Sequence, residues 1–193
     1  MTRIPQRPPE IDERVIPGHW EGDLIKGARN ASAVGTLVER TTRFVALAKR
    51  DKASAEAAVT GLGTVLNRID APRRLSMTDD QGRERAQHER LSEITGVSVY
   101  LADPHRLWQR GIHENTNGWL RQYMPKGTDL SPLSQDHLDS IAWELNTRPR
   151  KSLGWKCPAE LFMPESFDCF KHLINWLHFG LETAPVPRLG QRR

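Results

Sequence analysis

The sequence predicts one α/β domain built on a mixed five-stranded sheet that is flanked by helices. Three β-rich runs follow one another early in the chain, two shorter β-rich runs come later, and amphipathic segments separate and follow them. The resulting order, βββαβαβα, predicts three antiparallel strands followed by parallel additions. With 193 residues, the chain is long enough for one domain with a sizeable core and short for two.

Each element is placed by its hydrophobic pattern. Strands are predicted at His19–Ile25, Ala33–Thr41, Arg43–Ala48, Arg74–Thr78 and Val97–Leu101. Helices are predicted at Ser54–Ile69, Gln87–Thr95, Ile112–Tyr123 and Ser134–Asn146, and two of them begin with a serine that can cap the helix. Gly61 and Gly63 lie inside the first helix, where each is expected to cost about 1 kcal/mol relative to alanine.

Proline and charge mark both ends of the predicted domain. Residues 1–17 contain four prolines among charged residues and are predicted to form an extended leader or the remains of a linker. Residues 18–162 form the predicted core. Residues 163–193 begin with a run of aromatic and aliphatic residues that could form one helix, and they end in a tail rich in proline and arginine.

Composition and charge narrow the function classes. The formal net charge is +4 and the sequence pI is about 9.3, so a polyanion such as DNA is favoured over a small-molecule substrate. The two cysteines and seven histidines show no zinc-binding spacing, and no glycine-rich phosphate loop is present. The sequence shows no signal peptide and no apolar run long enough for a membrane helix, so a cytoplasmic protein is expected, and binding to DNA would associate it with the nucleoid.

Three carboxylates are candidate magnesium ligands. Asp23 lies in HWEGDLI, Asp80 in MTDDQG and Glu114 in QRGIHENTNG, with 33 residues between the last two. The first predicted strand would place Asp23 beside the strand that precedes Asp80, and Glu114 would reach across from a helix. Magnesium prefers hard oxygen ligands, and two such ions can activate a nucleophile and stabilise the leaving oxygen of a phosphodiester.

Each carboxylate also has an ordinary structural interpretation. Asp23 could be a strand-end carboxylate that pairs with a lysine, and Asp80 could be a turn former. Glu114 could complement the dipole of the first helical turn. The adjacent Asp79 is interpreted as a turn residue rather than a ligand.

Five long motifs, in order, carry a resemblance to a known family. They are HWEGDLI, GTLVERTTRF, TDDQGRE, DPHRLWQRGIHENTNGWLRQYMPKGTDLS and ELNTRPRKSLGWKCPAELF, which together extend over roughly residues 8–162. The chain resembles the catalytic core of the IS thirty family of insertion-sequence transposases. The resemblance implies a ribonuclease H-like fold of the DDE transposase and retroviral integrase superfamily. It also implies that residues 18–162 are the catalytic core and that Asp23, Asp80 and Glu114 are its catalytic, metal-binding triad.

Basic and polar residues near the third carboxylate are candidate DNA contacts. One group comprises Arg110, Asn117, Arg121 and Lys126, although a solvated charged face explains these nearly as well. A denser basic run comprises Arg148, Arg150, Lys151 and Lys156, with Trp155 among them. Trp20, Trp108, Trp119 and Trp143 are expected to be packing residues.

The leading hypothesis is a transposase core that cleaves DNA and transfers strands at the ends of an insertion sequence. It would use two Mg²⁺ ions in the presence of substrate, with Mn²⁺ as a substitute, and would act as a homo-oligomer. The helix-turn-helix region that precedes the core in the family has no counterpart here. The alternative is therefore a truncated, non-catalytic remnant that binds DNA non-specifically or self-associates. An endonuclease that nicks without joining strands is a weaker third hypothesis.

Overall fold

A computed structural model describes residues 2–3, 8–50, 55–79, 88–101 and 111–167. The strands are β1 (Thr2–Arg3), β2 (His19–Lys26), β3 (Ala33–Glu39), β4 (Val45–Lys49), β5 (Ser76–Asp79) and β6 (Ser98–Leu101). The α-helices are α1 (Glu10–Glu13), α2 (Ala55–Asn67), α3 (His88–Thr95), α4 (Gly111–Leu120), α5 (Gln135–Asn146) and α6 (Pro158–Phe162). Among these residues, no helix is long and apolar enough to cross a membrane.

The strands form one mixed sheet in the order β1-β6-β5-β2-β3-β4. β2, β3 and β4 pair in antiparallel fashion, whereas β5 lies parallel to both β2 and β6. The predicted five-stranded mixed sheet is therefore confirmed. The predicted leader contains two elements that the sequence pattern does not predict. Thr2–Arg3 forms a two-residue strand parallel to β6, and α1 follows it in the chain.

Helices cover both faces of the sheet and bury two separate apolar cores. The first core joins one face to α2, α3 and α6, and its members include Trp20, Met77 and Phe162. The second core joins the opposite face to α4 and α5, and it includes Ile25 and Leu120. The domain is thus a three-layer arrangement, with helices on each side of the sheet.

The side chains of β2 alternate between these two cores, and this alternation positions Asp23. Trp20 packs in the first core and Ile25 in the second. Successive strand residues point to opposite faces, so Asp23 shares the face of Ile25, on the side of α4 and α5. Gly22 lies on the other face, where an added Cβ would stand 2.1 Å from the Met77 methyl group.

Strand β3 ends at Glu39, two residues earlier than predicted, and the carboxylate of Glu39 is buried. Glu39 is fully buried, and its Oε2 accepts hydrogen bonds from the amides of Thr41 and Thr42 and from the Thr42 hydroxyl. Its Oε1 accepts a bond from the Gly18 amide at 3.1 Å. These donors fix the turn between β3 and β4, in which Arg43 has a positive φ of 64°. The motif that contains Glu39 therefore has a structural role.

Helix α2 needs one of its glycines for close packing against the sheet. A Cβ at Gly61 would lie 2.5 Å from the Lys49 carbonyl oxygen, which is a backbone atom that cannot move aside easily. The propensity penalty that the sequence predicts for this position is therefore offset by the close approach of α2 to β4. The predicted N-cap of this helix, Ser54, lies outside the described residues.

Candidate active site

The candidate active site lies where β2 is flanked by β5 on one side and covered by α4. The parallel pairing of β2 with β5 aligns Trp20 with Met77 and Glu21 with Thr78. Asp23 lies two residues beyond Glu21 on the same face of β2 and is partly buried. The prediction that Asp23 lies on a strand next to the one that ends at Asp79-Asp80 agrees with this pairing.

A side chain from α4 contacts Asp23 directly. The Nδ2 atom of Asn117 donates a hydrogen bond to Oδ2 of Asp23 at 2.9 Å. The other amide atom, Asn117 Oδ1, is buried and accepts no hydrogen bond from the residues that the structure describes. Asn117 is a predicted DNA contact, and nothing local in the sequence indicates that it bonds Asp23.

The other two predicted metal ligands fall in less completely described parts of the chain. Asp80 directly follows β5 and lies outside the described residues. Residue 114 belongs to the backbone of α4, one helical turn before Asn117, but its side chain is not described. Within the described residues, no three His, Cys, Asp or Glu side chains converge on a common point. The three-carboxylate cluster therefore stays a prediction.

The residue before Asp80 has a structural partner on the opposite face of the sheet. Asp79 is the last residue of β5, and its Oδ2 lies 3.0 Å from Nε2 of His88 on α3. Its Oδ1 lies 3.6 Å from the position of a Cβ at Gly22, which faces away from Asp23. Asp79 thus ends a strand and contacts α3, whereas the sequence predicts a turn residue at this position.

A buried ion pair lies on the Asp23 face of β2. Glu21 is fully buried, and its Oε1 lies 3.4 Å from Nε of Arg40, which is also buried. Nearby, burial and the charge of Arg14 lower the pKa of Arg43, although Glu21 and Glu39 oppose that shift. The two opposite charges balance each other on the strand that carries Asp23, and the sequence alone does not predict their pairing.

Most of the predicted DNA contacts that the structure describes are exposed. Lys126, Lys151 and Lys156 are exposed, and Arg121 is partly buried with a bond from its guanidinium to the Met124 carbonyl at 3.3 Å. Arg148 is exposed and donates hydrogen bonds to the hydroxyl of Tyr123 and to Glu144. Arg110 lies outside the described residues. Contact with DNA stays a prediction for all of these side chains.

Arg150 differs from the other basic residues because it is buried. Its guanidinium carbon lies 4.3 Å from the centroid of the Trp119 ring, and its Nη2 donates to the Leu145 carbonyl at 3.1 Å. Burial, followed by the charges of Arg43 and Arg148, lowers the pKa of Arg150 to about 10. In this structure Arg150 connects the segment after α5 to α4, and its predicted contact with DNA is untested.

The residues around Asp23 have the chemistry that a hard divalent cation requires. The Asp23 carboxylate and the buried Asn117 Oδ1, which has no hydrogen-bond donor among the described residues, are both hard oxygen donors. Magnesium prefers such ligands over nitrogen or sulfur. The described part of the site therefore fits the cation that the sequence predicts.

Sequence comparison finds transposases among the relatives of this chain. It is 58% identical over 161 residues to the transposase of insertion sequence element IS1086 from Cupriavidus metallidurans. It is 45% identical over 163 residues to the InsI transposase of element IS30A from Escherichia coli. Each match covers 83% of this chain but only 48% and 42% of the respective relative, so the chain spans about half the length of these curated relatives. No family profile matches the chain.

Comparison of structures identifies the fold. The catalytic core domain of HTLV-2 integrase, solved in complex with magnesium in a trimeric form, superposes with a TM-score of 0.56. That match covers 77% of this chain and 98% of the integrase core at 15% sequence identity. At this identity the likeness shows the fold alone, and it confirms the ribonuclease H-like fold of the retroviral integrase cores.

Proposed function

We propose that this chain, which is similar over 83% of its length to the transposases of elements IS1086 and IS30A, is the catalytic core of a DNA transposase of the IS thirty family. Its substrate would be a DNA phosphodiester at the ends of an insertion sequence. The reaction would be metal-dependent strand cleavage followed by strand transfer, which makes the chain a polynucleotidyl transferase. We expect the active form to be a homo-oligomer bound to DNA.

The hydrogen bond from Asn117 to Asp23 is the observation that carries this proposal. The bond joins one polar side chain of α4 to the carboxylate of β2. Glu114 lies one turn earlier on that helix. Asp80 directly follows β5, the parallel neighbour of β2. The topology therefore supports convergence of Asp23, Asp80 and Glu114, which the family resemblance implies.

The residues of the chain would act mainly by positioning and by electrostatics. Asp23, Asp80 and Glu114 would hold magnesium or manganese, which activates the attacking oxygen and neutralises charge on the phosphate. Asn117 would keep the Asp23 carboxylate in one orientation by donating to Oδ2. Exposed cations such as Lys126 and Lys151 would hold the DNA backbone. This account requires no covalent intermediate between protein and DNA.

The proposal is tested by incubating the chain with supercoiled plasmid DNA and Mg²⁺ or Mn²⁺. We expect nicked and joined products that depend on the metal. Asp23→Asn, Asp80→Asn and Glu114→Gln should each abolish these products while leaving the circular dichroism spectrum and the melting temperature nearly unchanged. Asp70→Asn is the matched control, since Asp70 is exposed and lies in the connection between α2 and β5.

The outcomes separate the three hypotheses. Metal-dependent products that persist in the Asp23→Asn variant would show that the assigned ligands are wrong. Nicks without joined strands would favour the endonuclease. Salt-sensitive DNA binding with no metal-dependent product, under conditions in which the full-length relatives are active, would favour the non-catalytic remnant.

A further inference from the structure

Trp155 is the most exposed tryptophan that the structure describes. It is 69% exposed, whereas Trp20 is fully buried and Trp119 is 38% exposed. Tryptophan has a large apolar surface that proteins usually cover. A single exposed apolar side chain is common on protein surfaces, but this one stands in a turn of unusual backbone conformation among basic residues.

The backbone holds Trp155 in an unfavourable conformation. Gly154 and Trp155 have positive φ angles of 63° and 67°, which a bulky side chain rarely adopts. The turn is closed by hydrogen bonds from the Trp155 amide to the Arg150 carbonyl at 2.9 Å and from the Arg150 amide to the Lys156 carbonyl at 3.0 Å. The surrounding structure thus maintains a strained position that presents the ring to solvent.

This turn is attached to the helix of the candidate active site. The guanidinium carbon of Arg150 lies 4.3 Å from the centroid of the Trp119 ring. The same side chain donates a hydrogen bond to the Leu145 carbonyl near the end of α5. Trp119 lies on α4, two residues after Asn117, which contacts Asp23. Because the Arg150 side chain is buried and contacts both α4 and α5, the turn holds Trp155 in a fixed position relative to α4.

The exposed ring belongs to a basic stretch of the chain. Residues 148–156 contain four basic residues and no acidic residue. Lys151 is exposed and lies four residues before Trp155. Lys156, directly after it, has a side chain that is 57% exposed, and its Nζ lies 3.7 Å from Oε1 of Glu160. An aromatic ring between exposed cations matches the sites at which proteins bind unpaired nucleic acid, where bases stack and phosphates meet positive charge.

We propose that Trp155 is a stacking platform for an unpaired DNA base, and that Lys151 and Lys156 contact the phosphates that flank this base. The inference deepens the proposed function and rests on it, because strand cleavage and transfer at a DNA end bring unpaired nucleotides to the enzyme. A contact with a second copy of this chain is less favoured, since the cations around the ring would repel the same surface on that copy.

The test measures binding of the whole chain to DNA in the presence of a chelator, so that cleavage plays no part. The probes are a fluorescently labelled oligothymidine and a duplex of the same length, followed by fluorescence anisotropy. Trp155→Leu should weaken binding to the single strand by about 5- to 150-fold, while duplex binding changes less than twofold. Trp155→Phe should retain most of the affinity, because an aromatic face remains.

A matched control and a second readout complete the test. Ile94→Ala is the control, because Ile94 is another exposed apolar side chain and lies on α3, on the opposite side of the sheet from Asp23. This substitution should change neither the single-strand nor the duplex affinity. An oligonucleotide with one 2-aminopurine should be quenched on binding the parent but not Trp155→Leu. Equal single-strand affinity of parent and Trp155→Leu would overturn the proposal. The proposal would also be overturned if Trp155→Leu lost self-association in sedimentation experiments while its DNA affinity stayed unchanged. That result would show that Trp155 contacts a second copy of the chain.

These readouts separate the inference from the proposed function. Stacking on Trp155 would be measured without metal, whatever the plasmid assay shows. Conversely, metal-dependent cleavage with no effect of Trp155→Leu on single-strand binding would overturn the inference and leave the proposed function standing.

Discussion

The side-chain amide of Asn117 donates a hydrogen bond to Oδ2 of Asp23 at 2.9 Å and joins α4 to the central strand β2. These residues are 94 positions apart in the chain. The bond fixes the orientation of one carboxylate and leaves the amide oxygen of Asn117 buried beside it. Asn117 is therefore a positioning residue for Asp23 in the proposed metal site.

We expect Asn117→Ala and Asn117→Asp to have different effects on Mn²⁺ binding. The alanine variant loses one hydrogen bond, so Mn²⁺ affinity should fall several-fold and the free energy of unfolding should fall by about 1 kcal/mol. The aspartate variant places a second carboxylate near Asp23, and like charges raise each other's pKa. As the pH is lowered, the aspartate variant should therefore lose its bound Mn²⁺ at a higher pH than the parent does. Calorimetric titrations between pH 5 and 8 would measure both effects, and identical pH profiles for the two variants would contradict them.

Removal of the buried Glu39 carboxylate should destabilise the fold. Glu39→Ala leaves the amides of Gly18, Thr41 and Thr42 without their acceptor, so the free energy of unfolding should fall by about 3 kcal/mol. Urea denaturation gives this value. The control is Glu56→Ala, because the side chain of Glu56 is exposed and its pair with Arg90 should contribute about 0.5 kcal/mol or less. Similar losses in the two variants would contradict the assigned role of Glu39.

The loop that carries Asp129 should give a small pH dependence to stability. Hydrogen bonds from the Ser131 side chain and amide, and from the Ser32 hydroxyl, lower the pKa of Asp129 below its usual 3.8. A carboxyl group with a lower pKa in the folded state stabilises the fold above the unfolded pKa, and this contribution is lost as pH falls through the folded pKa. Stability of the parent relative to Asp129→Asn should therefore decrease as pH falls from 5 towards 2, in urea titrations. A constant difference across this range would show that these bonds do not favour the ionised carboxylate.

The exposed and buried basic residues should contribute differently to duplex binding. Lys126→Ala and Lys151→Ala should each reduce the slope of log affinity against log salt concentration by about one, since each would remove one of the proposed phosphate contacts. Arg150→Met should leave that slope unchanged, because the Arg150 guanidinium is buried against Trp119. Arg90→Ala, on the opposite side of the sheet, serves as the surface control. A slope change for Arg150→Met equal to that for Lys151→Ala would show that Arg150 reaches DNA.

The sheet could be predicted from the sequence because its strands and helices have clear periodicities. The alternation of Trp20 and Ile25 between two cores follows directly from the period of a strand. The two-residue strand Thr2–Arg3 could not be predicted, because so short a segment has no measurable period. Proline residues near it favoured a leader instead.

The partners of polar side chains were harder to predict than the strands. Nothing local in the sequence shows that Asn117 meets Asp23 or that Glu39 accepts bonds from Gly18, because these contacts depend on how distant elements pack. Arg150 belongs to a basic run that favours contact with the DNA backbone, yet its side chain is buried on Trp119. Charge patterns identify a basic segment but do not show which of its side chains face solvent.

Mn²⁺ binding, measured by isothermal titration calorimetry in the presence of duplex DNA, tests the central claim most directly. The parent should bind the ion, and Asp23→Asn, Asp80→Asn and Glu114→Gln should each lose that binding, whereas Asp70→Asn should bind as the parent does. Binding by Glu114→Gln with the affinity and stoichiometry of the parent would contradict the claim that Asp23, Asp80 and Glu114 form one metal site.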